Sequence, residues 1–139
     1  DELTEKHYFQ KSGEHRTCRQ IVTEDGVDVF RALESDVLAE VLHRPAGVVA
    51  LGGGTPIPNQ NRSLIRAHIP VHITAPKDVV FARVTAAGWP AILSGDPVAV
   101  FDAMWQKRNP VYCDLAVATV QNDGSVDEAV KKIIAQVSP

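Results

Sequence analysis

"VVALGGGTP", residues Val48–Pro56, decides how this chain is read. An unbroken apolar run, Val48–Leu51, ends on three glycines, Gly52–Gly54. A short apolar run without polar alternation suits a strand covered on both faces. Glycines at its carboxyl end leave bare backbone, which takes up unusual angles and admits close approach by a ligand or another segment. A strand-to-helix turn with no ligand would use the same three residues.

Reading toward the C-terminus, "PNQNRSLIRAH" has the composition of a helix, and Ile69–Ala75 ("IPVHITA") that of a second strand. "PKDVVFARVTAA" is a good helix with Pro76 at its start, where a missing N–H costs little. "GWPAILSGDP" is a loop, and "DPVAVFDAMWQKR" a helix expected to stop at Asn109–Pro110. Leu115–Gln121 is a third strand, "NDGS" a turn and "VDEAVKKIIAQV" a closing helix. Toward the N-terminus, Phe30, Leu33, Val37 and Val41, with Leu38 and Leu42, recur at helical spacing up to about His43. Asp28, just after the break at Gly26, is placed to cap that helix. Arg16–Glu24 suits a short helix, whereas the polar stretch Asp1–His15 carries no clear assignment. Strands alternating with helices predict an α/β domain with a parallel sheet covered on both faces. In such sheets ligands bind beyond the carboxyl ends of the strands, where Gly52–Gly54 would sit.

The 139 residues suit one domain, with no internal repeat or linker. A net charge of −3 gives no nucleic-acid footprint, and no apolar run approaches membrane-spanning length. No signal-peptide pattern opens the chain, so a cytoplasmic protein is expected, with Cys18 and Cys113 as free thiols; a monomer is expected as well. The five histidines are scattered, with no spacing that would hold a metal.

Two further clusters could carry chemistry. In "FRALE", Phe30–Glu34, Arg31 and Glu34 lie on one helix face, either as a solvated ion pair or as a guanidinium fork held ready for a carboxylate. In "KRNPVY", Lys107–Tyr112, Arg108 either meets a helix dipole or serves as a second cation.

Taken in this order, "FRALE", "VVALGGG", "NR" and "RNPVY" resemble the shikimate kinase family, over the chain from about Gly26 to the C-terminus. The resemblance implies a three-layer α/β/α P-loop kinase that moves the γ-phosphate of ATP, with magnesium, to the 3-hydroxyl of shikimate in aromatic amino-acid biosynthesis. It further implies that Arg31 and Arg108 clamp the shikimate carboxylate and that Glu34 orients Arg31. Gly53 and Gly54 would offer backbone N–H groups to the substrate, with Gly52 shaping the turn. "DEL" at the start resembles the second half of the family's Asp-x-Asp motif, which makes Asp1 the catalytic carboxylate that accepts hydrogen bonds from the ring hydroxyls.

Two departures stand beside the match. The phosphate cradle G-x-x-x-x-G-K-[ST] needs a Gly-Lys pair, and none occurs. In the family that cradle lies upstream, so the sequence is expected to be an N-terminally incomplete piece of such a domain, short of roughly 30 residues. The candidate lid, residues 88–96, has Trp89 where the family places an Arg that reaches ATP, leaving Arg83 or Lys107 as substitute cations. The alternatives are a non-catalytic shikimate-binding module that has lost ATP, and a related kinase for another hydroxy acid such as gluconate.

Overall fold

The computed structural model describes residues 1–45, 47–88 and 95–137. They fall into two compact units, Asp1–Leu64 and Ile65–Pro139.

The first unit is helical. Helix α1 spans Glu2–Ser12, and Gly13, in the left-handed region at φ 76°, ends it by donating its N–H to Phe9. The stretch carries no helical signature in its sequence because only Thr4 and Tyr8 on it are buried, too few for an apolar stripe. A short helix α2, Cys18–Gln20, follows a capping box in which Thr17 and Gln20 satisfy each other's backbone N–H groups. It runs into a π-helical turn, Ile21–Asp25. Helix α3, Val27–Leu42, buries Phe30, Leu33, Val37 and Leu38, four of the six residues expected in its stripe. Gly26, at φ 97°, occupies the cap position, so Asp28 lies inside the first turn and does not cap. Tyr8, Ile21, Phe30 and Leu33 form the core of the unit, with Cys18 and Val22 packed around them.

The expected strand at Val48–Leu51 does not form. Val48, Val49 and Leu51 are exposed, and among the described residues no segment pairs with this run. A strand exists through hydrogen bonds to a neighbour, and apolar composition does not supply one. Helix α4, Asn59–Ile65, follows the glycines.

The second unit holds the described sheet. Strands β1, Val71–Thr74, and β2, Ala118–Gln121, pair in parallel, with Val71 opposite Ala118 and Thr74 opposite Gln121. Helices α5, Lys77–Ala86, and α6, Pro97–Leu115, make the crossover that parallel strands require. Helix α7, Val126–Val137, closes the chain. Val120 is the most deeply buried residue of β2. Asp96 caps α6 by accepting the N–H of Ala99 at 2.8 Å. The helix does not stop at Asn109–Pro110 as expected but runs through Pro110 to Leu115. Losing one N–H and straining one turn costs about 3 kcal/mol. Burial of Leu115 beyond the proline, and the bond from the Ala116 N–H to Tyr112, favour continuation. Residues 89–94 of the candidate lid, Trp89 among them, lie outside the described residues.

Candidate functional site

The site is built where α3 meets the glycine turn. One helical turn along α3 brings Arg31 and Glu34 together, and Arg31 Nη1 donates to Glu34 Oε2. This is no solvated surface pair: the Glu34 side chain is 11% exposed and that of Arg31 26%. The guanidinium also lies 5.3 Å from the centroid of the Phe30 ring. Among the described residues no hydrogen bond is recorded for Nη2 or Nε of Arg31, and Nη2 packs, like Nη1, against Gly54.

The glycine turn packs onto this pair. Thr55 donates its N–H to the Gly52 carbonyl at 3.0 Å, and Ile57 donates to Gly54 at 3.1 Å. These are two tight turns in succession. None of Gly52–Gly54 is among the glycines at positive φ. What the turn requires is space: a β-carbon on Gly54 would overlap the Arg31 guanidinium, and one on Gly52 would lie 3.3 Å from Glu34 Oε1. The bare backbone at Gly54 is therefore approached by the protein's own arginine.

Thr55, which is not among the candidate site residues of the motifs, and Asn61, present in them only within "NR" and with no role assigned, complete the corner. Thr55 Oγ1 donates to Glu34 Oε1 at 3.0 Å across 21 residues of sequence. Asn61, 1% exposed, donates from Nδ2 to the Thr55 carbonyl at 2.8 Å. Arg62 braces the same loop through two donors to the Ile57 carbonyl, at 2.8 and 3.3 Å. "NR" carried the family resemblance, but a buried asparagine holding a turn has no local signature.

Of the other expected site residues, Gly53 and Asp1 lie in the same unit as this corner and Arg108 in the other. Gly53 is an exposed residue of the turn. Asp1 occupies the N-cap position of α1, exposed, with no side-chain cap bond. Its carbonyl accepts the Glu5 N–H at 3.0 Å and faces Cys18 Sγ at 3.7 Å. Burial, with Glu5 beside it, pushes the Cys18 thiol up to about 11. Arg108 belongs to the second unit, half-buried within α6 and well before its end, so the helix dipole does not explain it. Of the substitute cations, Arg83 donates to the Asn122 carbonyl at 2.8 Å, and Lys107 is exposed. Arg83 and Asn122 edge an apolar hollow of about 290 Å³ at the carboxyl ends of both strands.

A family model described as shikimate kinase matches residues 4–138. The chain belongs to the shikimate kinase family. Among curated relatives, the shikimate kinase of Thermobifida fusca (strain YX) is 36% identical over 124 residues, covering 89% of this chain and 72% of the relative. That of Nitratidesulfovibrio vulgaris (Hildenborough) is 38% identical over 121 residues, covering 83% of this chain and 69% of the relative. Among solved structures, shikimate kinase from Acinetobacter baumannii in complex with shikimate matches with a TM-score of 0.80 at 25% identity, over 97% of this chain and 76% of that one. The expected fold class, α/β with a parallel sheet, holds, and family and fold are those of a kinase acting on shikimate.

Proposed function

We propose that this chain binds shikimate by its carboxylate and carries out phosphorylation of the 3-hydroxyl, with ATP as donor and magnesium as its companion ion. The observation that carries the reading is the Arg31 guanidinium: wedged against Gly54, tied to Glu34 by one nitrogen, and with no recorded hydrogen bond on the other two. A rigid, partly dry guanidinium suits a carboxylate better than a lysine would, because two of its donors match two carboxylate oxygens. Arg108 is the second arm of the clamp. Glu34 orients Arg31, Gly53 and Gly54 supply backbone N–H groups, Gly52 shapes the turn, and Asp1 accepts hydrogen bonds from the ring hydroxyls.

The phosphate cradle of such kinases is not among the 139 residues. No Gly-Lys pair occurs in the 139 residues, and among the described residues no three metal-ligating side chains converge. The chemistry this chain's own residues supply is binding and orientation: the carboxylate fixes the ring, and a fixed ring presents one hydroxyl for transfer. A soluble cytoplasmic monomer feeding chorismate synthesis completes the reading.

Isothermal titration with shikimate, with a coupled assay on ATP and magnesium, tests it. Arg31→Ala and Arg108→Ala should each weaken shikimate binding by about 30-fold or more, since each leaves the carboxylate half-clamped. Unchanged affinity in both variants overturns the reading.

A further inference from the structure

We infer that Thr55, held in place by Asn61, is a positioning residue that keeps part of the Arg31 fork available to the substrate. The inference rests on the reading of Arg31 as the carboxylate clamp.

The argument starts from a competition. A carboxylate and a guanidinium left alone form two parallel hydrogen bonds, using both carboxylate oxygens and two nitrogens. If Glu34 did so, it would occupy the donors that a substrate carboxylate needs. Instead Glu34 gives only Oε2 to Arg31 Nη1. Its other oxygen, Oε1, accepts the Thr55 hydroxyl at 3.0 Å. Thr55 thereby holds Glu34 to a single bond with Arg31: strong enough to fix the guanidinium, yet sparing Nη2 and Nε.

The Thr55 hydroxyl can do this because its backbone is fixed on both sides. Its N–H closes the turn onto Gly52, and its carbonyl accepts Asn61 Nδ2 at 2.8 Å. Asn61 is itself fixed by its own N–H, which donates to the Pro58 carbonyl at 3.1 Å. Thr55 is 6% and Asn61 1% exposed, so water does not compete readily for these bonds. The path runs from α4 through the turn to α3, entirely within the first unit.

Thr55→Val keeps the shape and removes only the hydroxyl. It should raise the Kd and KM for shikimate about tenfold, the effect of one hydrogen bond to a charged group. The change in kcat should be smaller, and KM for ATP should not move. Thr55→Ser, which restores the hydroxyl without the methyl, should restore shikimate affinity. In the ¹⁵N spectrum the Arg31 Nε signal should shift in Thr55→Val, as Glu34 engages the fork with both oxygens, and return in Thr55→Ser. Thr55→Ala serves as the second hydroxyl deletion if the valine variant does not fold.

Arg31→Ala separates the two ideas. If it weakens shikimate binding while Thr55→Val and Thr55→Ala bind like the parent, the positioning role is wrong and the clamp stands. If Arg31→Ala binds like the parent, the clamp itself is wrong. Serine failing to restore affinity overturns the positioning role, since packing of the methyl would then explain the loss.

Discussion

The glycine corner and the strand pair are held together by opposite means. In the corner, single groups are joined by individual polar bonds: Arg31 to Glu34, Glu34 to Thr55, Thr55 to Asn61. In the strand pair the bonds are a parallel backbone ladder, extended at its ends by Val117 to Pro70 and Asn122 to Thr74, and the buried side chain is Val120. Each corner bond has one acceptable partner at one distance, whereas ladder and core contributions are spread over many atoms. Corner bonds therefore set geometry, and the strand pair sets stability. Substitutions in the corner should move substrate binding more than unfolding, and those in the strand pair the reverse.

The largest expected effect is in the strand pair. Val120→Asp buries an unpaired charge and should cost about 4 kcal/mol or more of unfolding free energy. Val120→Ala should cost about 2 kcal/mol, and both are read by urea denaturation. If Val120→Ala instead weakened shikimate binding without lowering stability, the division between the two regions would be broken.

Gly54→Ala tests the other side. The added β-carbon overlaps the Arg31 guanidinium, so the arginine must leave its place. Displacement of a positioned group by about 1 Å can cost 100-fold, and a loss of about that size in shikimate affinity is expected. The stability cost should be smaller than for Val120→Asp, about 1–3 kcal/mol, because the far end of a flexible side chain can shift where backbone could not. Titration calorimetry beside urea denaturation on one preparation gives both numbers.

The same contrast explains what the sequence disclosed. Arg31 and Glu34 were legible because helical spacing alone brings them together. Thr55 and Asn61 were not, because their roles depend on a turn folding back onto α3 across 21 residues. Val48–Leu51 and Ile69–Ala75 both read as strands, yet only the second holds a paired one, Val71–Thr74. Periodicity tests a segment's own residues and says nothing about its neighbour. Pro110 misled in the opposite direction: a local breaker was overridden by burial of Leu115 beyond it. The motif order outperformed each motif because it samples several distant segments together.

The smallest effect concerns His72 on β1, a titratable group within the strand pair. Desolvation holds its pKa below the ordinary value of 6.5, and Nδ1 is buried with no hydrogen-bond partner among the described residues, beside the Tyr112 ring, 5.5 Å away. The folded state thus favours the neutral ring. As pH falls through the unfolded value, the unfolded chain takes up a proton that the folded chain resists, so stability falls with falling pH. The loss is complete once pH passes below the depressed folded value, and above the unfolded value His72 contributes no slope. His72→Gln removes this titration and leaves the other histidines in place. Unfolding free energies measured from about pH 7.5 to about pH 5 should therefore fall more steeply for the parent than for His72→Gln. Shikimate affinity should show no such difference, since His72 belongs to the region that sets stability. Parallel stability curves would mean that the ring charges freely inside the fold. A difference appearing in binding rather than in stability would place a titrating strand residue in the work assigned to the corner, and the contrast between the two regions would have to be redrawn.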